Sequence, residues 1–186
     1  GVLGNLILSF SKLLNQKAIH KPSAQHVLDD DYYKRIEAIQ FTMSHDDGKK
    51  VDDIDEADVV LLGVSRTSKT PTSIYLANRG YKTVNIPLVL EQKIPEDLKT
   101  NKTSCIIGLI ADPERLSDIR RNRVAIMKDQ KLKEYTDLNF IKKEVEDSKN
   151  LFKKNNWPII DVTRRSVEET AASILKIIEI KKNKWK

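Results

Sequence analysis

Four short apolar segments, each separated from the next by a helical pattern, constrain the fold more than any other feature of the sequence. They read ADVVLLGV at 57–64, KTVNIPLV at 82–89, SCIIGLIA at 104–111 and WPIIDVT at 157–163. Strands that are apolar on both faces and alternate with helices are typical of a parallel sheet covered by helices on both sides. The sequence therefore predicts an α/β fold with a mainly parallel sheet.

Helical patterns fill the intervals between these segments and also precede them. Apolar side chains at helical spacing predict one or two N-terminal helices before the sheet. We divide the chain into a helical N-terminal segment and connection, 1–50, and an α/β domain, 51–186. The predicted helices lie at 3–14, 33–43, 71–80, 112–127, 137–156 and 166–182.

Two helix starts carry chemical markers. Asp112 and Pro113 place a hydrogen-bond acceptor at the cap and proline in the first turn, and Ser166 with Glu169 forms a capping-box pattern. In parallel sheets, ligands bind at the carboxyl ends of strands, where loops lead into helices. The loops after the first, third and fourth strands are therefore the candidates for a site.

Composition narrows the class of protein. The net charge of +6 arises from 33 basic and 27 acidic residues, largely interspersed, and only 6% of residues are aromatic, so we expect no nucleic-acid partner. No apolar run approaches the roughly 18 residues of a membrane-spanning helix, so we expect no membrane partner. A single cysteine, Cys105, cannot form an internal disulfide and indicates a cytoplasmic location.

The loop after the first strand has the most specific chemistry. It reads GVSRTSKTP over 63–71, with Gly63, Lys69 and Thr70 in the relative positions of a phosphate-binding loop. Such a loop turns backbone N–H groups towards phosphate, and its hydroxyl ligates Mg²⁺. Ser68 stands in place of the second glycine, and Pro71 disfavours helical geometry before it, so we predict that the helix starts at Pro71. The alternative is a polar turn whose hydroxyls cap a helix.

Other charged groups are candidates for the same chemistry. Asp46 and Asp47 follow a helix, where adjacent carboxylates hold Mg²⁺ or accept a proton, although Asp-Asp-Gly is also an ordinary turn. Arg120, Arg121 and Arg123 suit phosphate, although charged runs on helices are usually solvated.

The remaining chemical residues carry weaker signals. Asp161 ends the fourth strand, where a carboxylate holds a metal or shapes the edge of a site. His45 caps a helix end, and Cys105 belongs to the core. His20 and His26 receive no role.

The segments 31–48, 63–89, 111–123 and 157–175 together resemble a known family, in its order and spacing. DYYKRIEAIQFTMSHDDG, GVSRTSKTPTSIYLANRGYKTVNIPLV, ADPERLSDIRRNR and WPIIDVTRRSVEETAASIL are similar to segments of the bacterial and plastid regulatory proteins of pyruvate phosphate dikinase and phosphoenolpyruvate synthetase. The family comprises bifunctional kinase–pyrophosphorylases, and the resemblance implies a P-loop-kinase-like α/β domain. The chain departs from the family's usual sequence at Gln40, where the family usually has glutamate. We also expect this chain to correspond to the C-terminal portion of the family's proteins.

The resemblance implies an unusual pair of reactions. A phosphoryl group passes from ADP to a threonine of the target enzyme, and inorganic phosphate later removes it as pyrophosphate. The ADP segment corresponds to Gly63, Val64, Ser65, Arg66, Thr67, Ser68, Lys69 and Thr70. Lys69 then contacts phosphate and Thr70 ligates Mg²⁺. Asp46 or Asp47 is the hypothesised base, and Arg120, Arg121 and Arg123 are the hypothesised phosphate ligands.

Two other functions remain open on the sequence. The loop also suits a small-molecule kinase, although no arginine-bearing lid insertion is evident, and a nucleotide-sensing module without catalysis would share the same loop. Under the family interpretation, the partner is pyruvate phosphate dikinase or phosphoenolpyruvate synthetase. We also expect a homodimer, because the regulator must enclose a threonine in the active site of a large enzyme.

Overall fold

The computed structural model describes residues 2–17, 29–48, 53–89, 94–95, 97–101, 103–127 and 133–184. A four-stranded sheet forms its centre, with every adjacent pair of strands parallel and the order β2-β1-β3-β4. The predicted α/β fold with a parallel sheet is confirmed. The strands are β1 (Val59–Gly63), β2 (Thr83–Pro87), β3 (Cys105–Ile110) and β4 (Ile159–Asp161).

Helices precede the sheet and connect its strands. Short 3₁₀ turns at Asp46–Gly48 and Ile54–Glu56 lead from the second helix into β1. The proposed boundary between 50 and 51 lies outside the described residues, as do His20 and His26. The helices are α1 (Val2–Leu14), α2 (Asp30–Ser44), α3 (Lys69–Ala77), α4 (Asp97–Thr100), α5 (Pro113–Met127), α6 (Lys133–Thr136), α7 (Leu138–Lys154) and α8 (Val167–Lys184).

Both predicted helix caps are present. Asp112 Oδ1 accepts hydrogen bonds from the backbone N–H groups of Glu114 and Arg115, each at 3.0 Å. Ser166 and Glu169 exchange the two bonds of a capping box, at 2.9 and 3.1 Å. Each cap satisfies N–H groups that have no acceptor within the helix, so α5 and α8 begin where the sequence predicts.

Apolar residues cover both faces of the sheet. Val59 and Leu61 belong to one buried cluster, and Val60 and Leu62 belong to another. Because successive side chains of a strand point to opposite faces, the two clusters lie on opposite sides. Leu116 of α5, Ile141 of α7 and Ile174 of α8 join the first cluster, and Leu98 of α4 and Phe152 of α7 join the second.

The outer edge of β2 is closed by α2 and the turn that follows it. The backbone N–H of Thr83 donates to Thr42 Oγ1 at 3.0 Å, and the N–H of Asn85 donates to the carbonyl oxygen of His45 at 3.2 Å. These bonds satisfy amides on the side of β2 where no strand of the described residues pairs. They also bring Asp46, the residue after His45, to the end of the sheet where the loop after β1 lies.

The first helix is amphipathic, as predicted, and its apolar residues are exposed in this structure. Leu3 is 71% exposed and Leu13 is 77% exposed. Within the described residues, no helix combines the length and the apolar character needed to cross a bilayer.

Candidate functional site

The loop after β1 turns sharply at the carboxyl end of an interior strand. A Cβ atom on Gly63 would lie 2.6 Å from the carbonyl oxygen of Leu109 and 2.7 Å from Thr67 Oγ1, so this position requires glycine. Thr67 is fully buried and its hydroxyl donates to the carbonyl oxygen of Val64 at 2.9 Å. The neighbouring strand and the loop's own hydrogen bond therefore fix the turn.

Ser68 adopts the left-handed conformation, with φ 57° and ψ 24°. Glycine enters this region without steric cost, whereas other residues enter it at a cost of about 1 kcal/mol. The geometry therefore explains why a phosphate-binding loop favours glycine here. Arg66 also has a positive φ, of 74°, so the loop contains two left-handed residues that are not glycine.

The predicted start of the helix at Pro71 is wrong, because α3 begins two residues earlier, at Lys69. The first helical hydrogen bond runs from the N–H of Thr72 to the carbonyl oxygen of Ser68, at 3.1 Å. Pro71 therefore lies in the first turn, where the backbone N–H that it lacks would have no partner within the helix. Lys69 and Thr70 keep N–H groups at the positive end of the helix dipole, which favours anions.

Lys69 folds back over the loop. Its side chain is only 6% exposed, and Nζ donates to the carbonyl oxygen of Val64 at 2.9 Å. Burial lowers the pKa of Lys69 from 10.5 to about 8, aided by the charge of Arg120 and opposed by Asp47 and Asp46. The amine is thus held at the loop, with part of its charge balanced by the two aspartates.

Asp46 lies beside Thr70, although the two are 24 positions apart in the sequence. The Thr70 hydroxyl donates to Asp46 Oδ1 at 3.1 Å. Asn85 Nδ2 donates to the same oxygen at 2.6 Å and to Thr70 Oγ1 at 3.0 Å. A hydroxyl and a carboxylate oxygen, both hard ligands, therefore meet next to the loop and fit a Mg²⁺ ion whose other ligands are phosphate and water.

This pair differs from an all-protein metal site. No group of three or more histidine, cysteine, aspartate or glutamate side chains that could hold a metal ion occurs among the residues described. Mg²⁺ commonly takes only one or two carboxylates plus phosphate oxygens, so Asp46 and Thr70 suit a cation that arrives with nucleotide.

The loop, the Asp46–Gly48 turn and α6 border a cavity of about 400 Å³. Lys69, Thr70 and the exposed Asp47 line it, together with Arg123 and Tyr135. Asp47 has a left-handed backbone, with φ 55°. The cavity is thus lined by an aspartate, a lysine, an arginine and the N-terminus of α3.

The three predicted arginines occupy different environments. Arg120 is fully buried, with Nη1 2.7 Å from Glu144 Oε2 and Nη2 3.2 Å from the carbonyl oxygen of Ser65. Its guanidinium also stacks on the Tyr135 ring, 4.7 Å from the centroid. Arg120 therefore stabilises the loop through its hydrogen bond to Ser65. Arg123 lines the cavity, and Arg121 is exposed without lining it.

A second, larger cavity of about 770 Å³ lies where the loops after β3 and β4 meet. Thr163 Oγ1 accepts from the N–H of Asp112 at 2.9 Å and donates to Asp161 Oδ1, which ties the two loops together. Burial raises the pKa of Asp161, but the hydroxyl and amide of Thr163, with Lys149 and Arg165, outweigh it and lower the pKa overall. We assign the site to the smaller cavity, because it is lined by the loop lysine and by Thr70, whose hydroxyl donates to Asp46.

Two further residues behave as structural groups. His45 is buried at the end of α2, where its Nδ1 lies 2.7 Å from the carbonyl oxygen of Phe41 and its ring stacks on the Phe41 ring. Cys105 is buried in β3, and burial raises the pKa of its thiol. A raised pKa disfavours the thiolate, which agrees with the prediction of a core residue.

The structure adds three residues that the sequence analysis missed. Asn85 joins Asp46 to Thr70, and Tyr135 bonds through its hydroxyl to Ser65 Oγ at 2.9 Å. Glu144 balances the buried charge of Arg120. For Asn85, the local signal is an asparagine within the largely apolar segment KTVNIPLV. Tyr135 and Glu144 have no local signal, because their partners are distant in sequence.

Comparison with known proteins gives a consistent result. The family described as Kinase/pyrophosphorylase matches residues 1–175. Proteins named pyruvate, phosphate dikinase regulatory protein are similar over most of this chain. The one from Pelagibacter ubique is 67% identical over 183 residues, covering 98% of this chain and 67% of its own length.

More distant relatives carry the same name. The protein from Erythrobacter litoralis is 52% identical, with 88% of this chain and 59% of its own length covered. The one from Chelativorans is 50% identical, with 94% and 64% covered. The chain thus spans about three fifths to two thirds of the length of these relatives. By the extent of the family match and the identity to its members, the chain belongs to the kinase/pyrophosphorylase family.

Proposed function

We propose that this chain carries the catalytic site of a regulator that switches pyruvate, phosphate dikinase off and on. In one direction it transfers the β-phosphoryl group of ADP to a threonine of the target. In the other, inorganic phosphate removes that group as pyrophosphate. The observation that supports this most is the convergence of Lys69, Thr70 and Asp46 at the start of α3.

The diphosphate of ADP is placed against the N-terminus of α3. Free N–H groups and the helix dipole favour an anion there. Lys69 leaves the carbonyl oxygen of Val64 to contact phosphate, and Thr67 still donates to that carbonyl oxygen at 2.9 Å. Moving the lysine therefore leaves no unpaired acceptor in the loop.

Asp46 and Thr70 would hold Mg²⁺, which supplies positive charge against the phosphates. Asp46 already accepts two hydrogen bonds, whereas Asp47 is exposed on the cavity wall. We therefore give Asp47 the role of base and Asp46 the role of ligand. Arg123, which also lines the cavity, would neutralise charge on the phosphoryl group during transfer.

In the forward direction, the threonine hydroxyl of the target attacks the β-phosphorus. The bond from that phosphorus to the bridging oxygen breaks, AMP leaves, and the hydroxyl proton passes to Asp47. In the reverse direction, an oxygen of inorganic phosphate attacks the phosphothreonine phosphorus. The bond from that phosphorus to the threonine oxygen breaks, pyrophosphate forms, and the threonine oxygen takes, through Asp47, the proton that the attacking phosphate releases. Catalysis rests on positioning and charge stabilisation, as in other phosphoryl transfers.

A transfer assay tests the proposal. The chain is incubated with pyruvate, phosphate dikinase and ADP labelled in its β-phosphate, and label on a target threonine is measured. Labelling from the γ-phosphate of ATP but not from ADP contradicts the proposed donor. ADP binding by calorimetry without any transfer supports a sensing module instead.

Matched lysine variants make the assay specific. Lys69→Ala is expected to abolish transfer, because it removes the cation at the loop. Lys143→Ala, which alters an exposed lysine on α7, is expected to retain it. Pyrophosphate release from phosphorylated target and inorganic phosphate, measured with the same variants, tests the reverse direction. Equal activity of Lys69→Ala and Lys143→Ala would refute the site.

A further inference from the structure

Asn85 is a buried amide at the edge of the sheet, beside the hydroxyl–carboxylate pair. It is 0% exposed. Its Nδ2 donates to Asp46 Oδ1 at 2.6 Å and to Thr70 Oγ1 at 3.0 Å, and Thr70 donates to Asp46 at 3.1 Å. The three side chains therefore form a closed triangle of hydrogen bonds.

The other end of the amide is unsatisfied within the described part of the chain. Asn85 Oδ1 is buried and makes no hydrogen bond to any described residue. Asparagine is rarely buried completely, and a fully buried position on a strand is ordinarily taken by an apolar side chain. A buried carbonyl without a partner lowers stability. This cost indicates that the amide is present for the two bonds that its Nδ2 donates.

A neutral donor is the side chain that suits this position. A carboxylate at 85 would repel Asp46, and a cation would compete with the metal ion. The backbone of Asn85 also binds the turn, because its N–H donates to the carbonyl oxygen of His45 at 3.2 Å. One residue of β2 thus fixes Asp46 through both its main chain and its side chain.

The hydrogen bonds among Asp46, Thr70 and Asn85 determine which oxygen atoms remain available to a cation. Thr70 Oγ1 donates its proton to Asp46 and accepts one bond from Asn85, so one lone pair remains. Among the described residues, the hydrogen bonds to Asp46 fall on Oδ1, so Oδ2 is the oxygen that we assign to the metal. The triangle therefore sets which oxygens a divalent cation meets.

We propose that Asn85 is a positioning residue that sets the spacing of Asp46 and Thr70 and thereby the affinity of the nucleotide-bound site for a divalent cation. This inference rests on the proposed function, because the cation is the one that accompanies ADP. It adds a role for a residue outside the loop, and Asn85 itself touches neither nucleotide nor metal.

The test compares Asn85→Leu, which keeps the approximate volume and removes the donors, with Thr83→Val on the same strand. Thr83 is equally buried, and its hydroxyl donates to the carbonyl oxygen of Tyr81, which is not part of the triangle. Mn²⁺ binding to the chain with ADP is measured by electron paramagnetic resonance, and ADP binding in EDTA by calorimetry. Should Asn85→Leu not fold, Asn85→Ser, whose shorter hydroxyl cannot reach both partners, replaces it.

We expect Asn85→Leu to weaken Mn²⁺ binding at least tenfold and to leave ADP binding in EDTA within twofold of wild type. Thr83→Val should change neither. A double-mutant cycle with Thr70→Val should be strongly non-additive, because both changes remove the same site. Unchanged Mn²⁺ affinity in Asn85→Leu, or equal losses with and without metal, would overturn the inference.

A crystal structure of Asn85→Leu separates this inference from the proposed function. If wild-type protein binds no ADP, the proposed function fails, and the positioning role of Asn85 is then tested by the distance between Asp46 and Thr70 in the variant. Loss of the contact between Asp46 and Thr70 in the variant then supports positioning by Asn85. A contact that persists at its original distance refutes it.

Discussion

Replacing Lys69 with methionine should stabilise the fold at neutral pH while removing activity. Lys69 is 6% exposed, and burial lowers its pKa from 10.5 to about 8. A lowered lysine pKa means that the folded state disfavours the charged form. Below pH 8 the lysine is protonated in both states, so the folded protein carries the full cost of the buried charge.

The size of this cost follows from the pKa difference. A fall from 10.5 to about 8 corresponds to about 3 kcal/mol of lost stability. The variant also loses the hydrogen bond from Nζ to Val64, which contributes about 1 kcal/mol, although Thr67 still satisfies that carbonyl oxygen. The net gain for Lys69→Met is about 2 kcal/mol, or roughly 4–8 °C in Tm for a protein of this size.

The sign of the pH dependence distinguishes this mechanism from general improvement in packing. Between pH 8 and pH 10.5 the unfolded chain keeps the lysine proton and the folded protein releases it. Wild-type stability therefore rises with pH in this window relative to the variant, and the advantage of Lys69→Met shrinks. Urea unfolding of both proteins at pH 7 and pH 10, with Lys143→Met as the exposed control, measures the difference. A variant that is less stable than wild type by the same amount at both pH values would refute the reasoning.

Three further outcomes follow from the contacts of single residues. Glu144→Gln leaves the Arg120 guanidinium buried beside a neutral group and should cost about 3 kcal/mol in urea unfolding; a loss below about 1 kcal/mol contradicts the role of this ion pair. Gly108→Ala places a Cβ 2.3 Å from the Phe152 ring and should lower stability by about 2 kcal/mol. Adding Phe152→Leu should restore part of this loss in calorimetric melting, and the absence of any recovery would exclude the clash as its cause. ADP affinity should fall up to about tenfold per pH unit above pH 8, as Lys69 loses its proton, and titration calorimetry on Lys69→Met should show no such slope.

The sequence predicts the sheet well because its signals are local. Residues 59–63 and 105–110 are apolar on both faces, and helices separate them, so the strands and their parallel arrangement follow from pattern alone. The caps at Asp112 and Ser166 are also local, since each involves residues within three positions. The start of α3 was missed because proline restricts the preceding residue only as a tendency, and the loop geometry outweighs it.

The assembly of the site follows from long-range contacts that a local pattern does not contain. Asp46 meets Thr70 only because the end of α2 docks on β2, and Asn85 marks the place where it docks. Arg120 and Arg121 are neighbours in sequence, yet one is buried and the other exposed. The orientation of α5 against α7 decides this, and charge pattern alone does not reveal it.

The bonds along β2 also bear on aggregation. A strand at the edge of a sheet normally offers N–H groups to any extended chain, which is how sheets join between molecules. On β2, the N–H groups of Thr83 and Asn85 are already donated to Thr42 and His45, and Pro87 has no N–H to offer. The opposite edge is β4, of three residues. The contacts that bring the Asp46–Gly48 turn to the site therefore also protect the sheet from pairing with a second molecule.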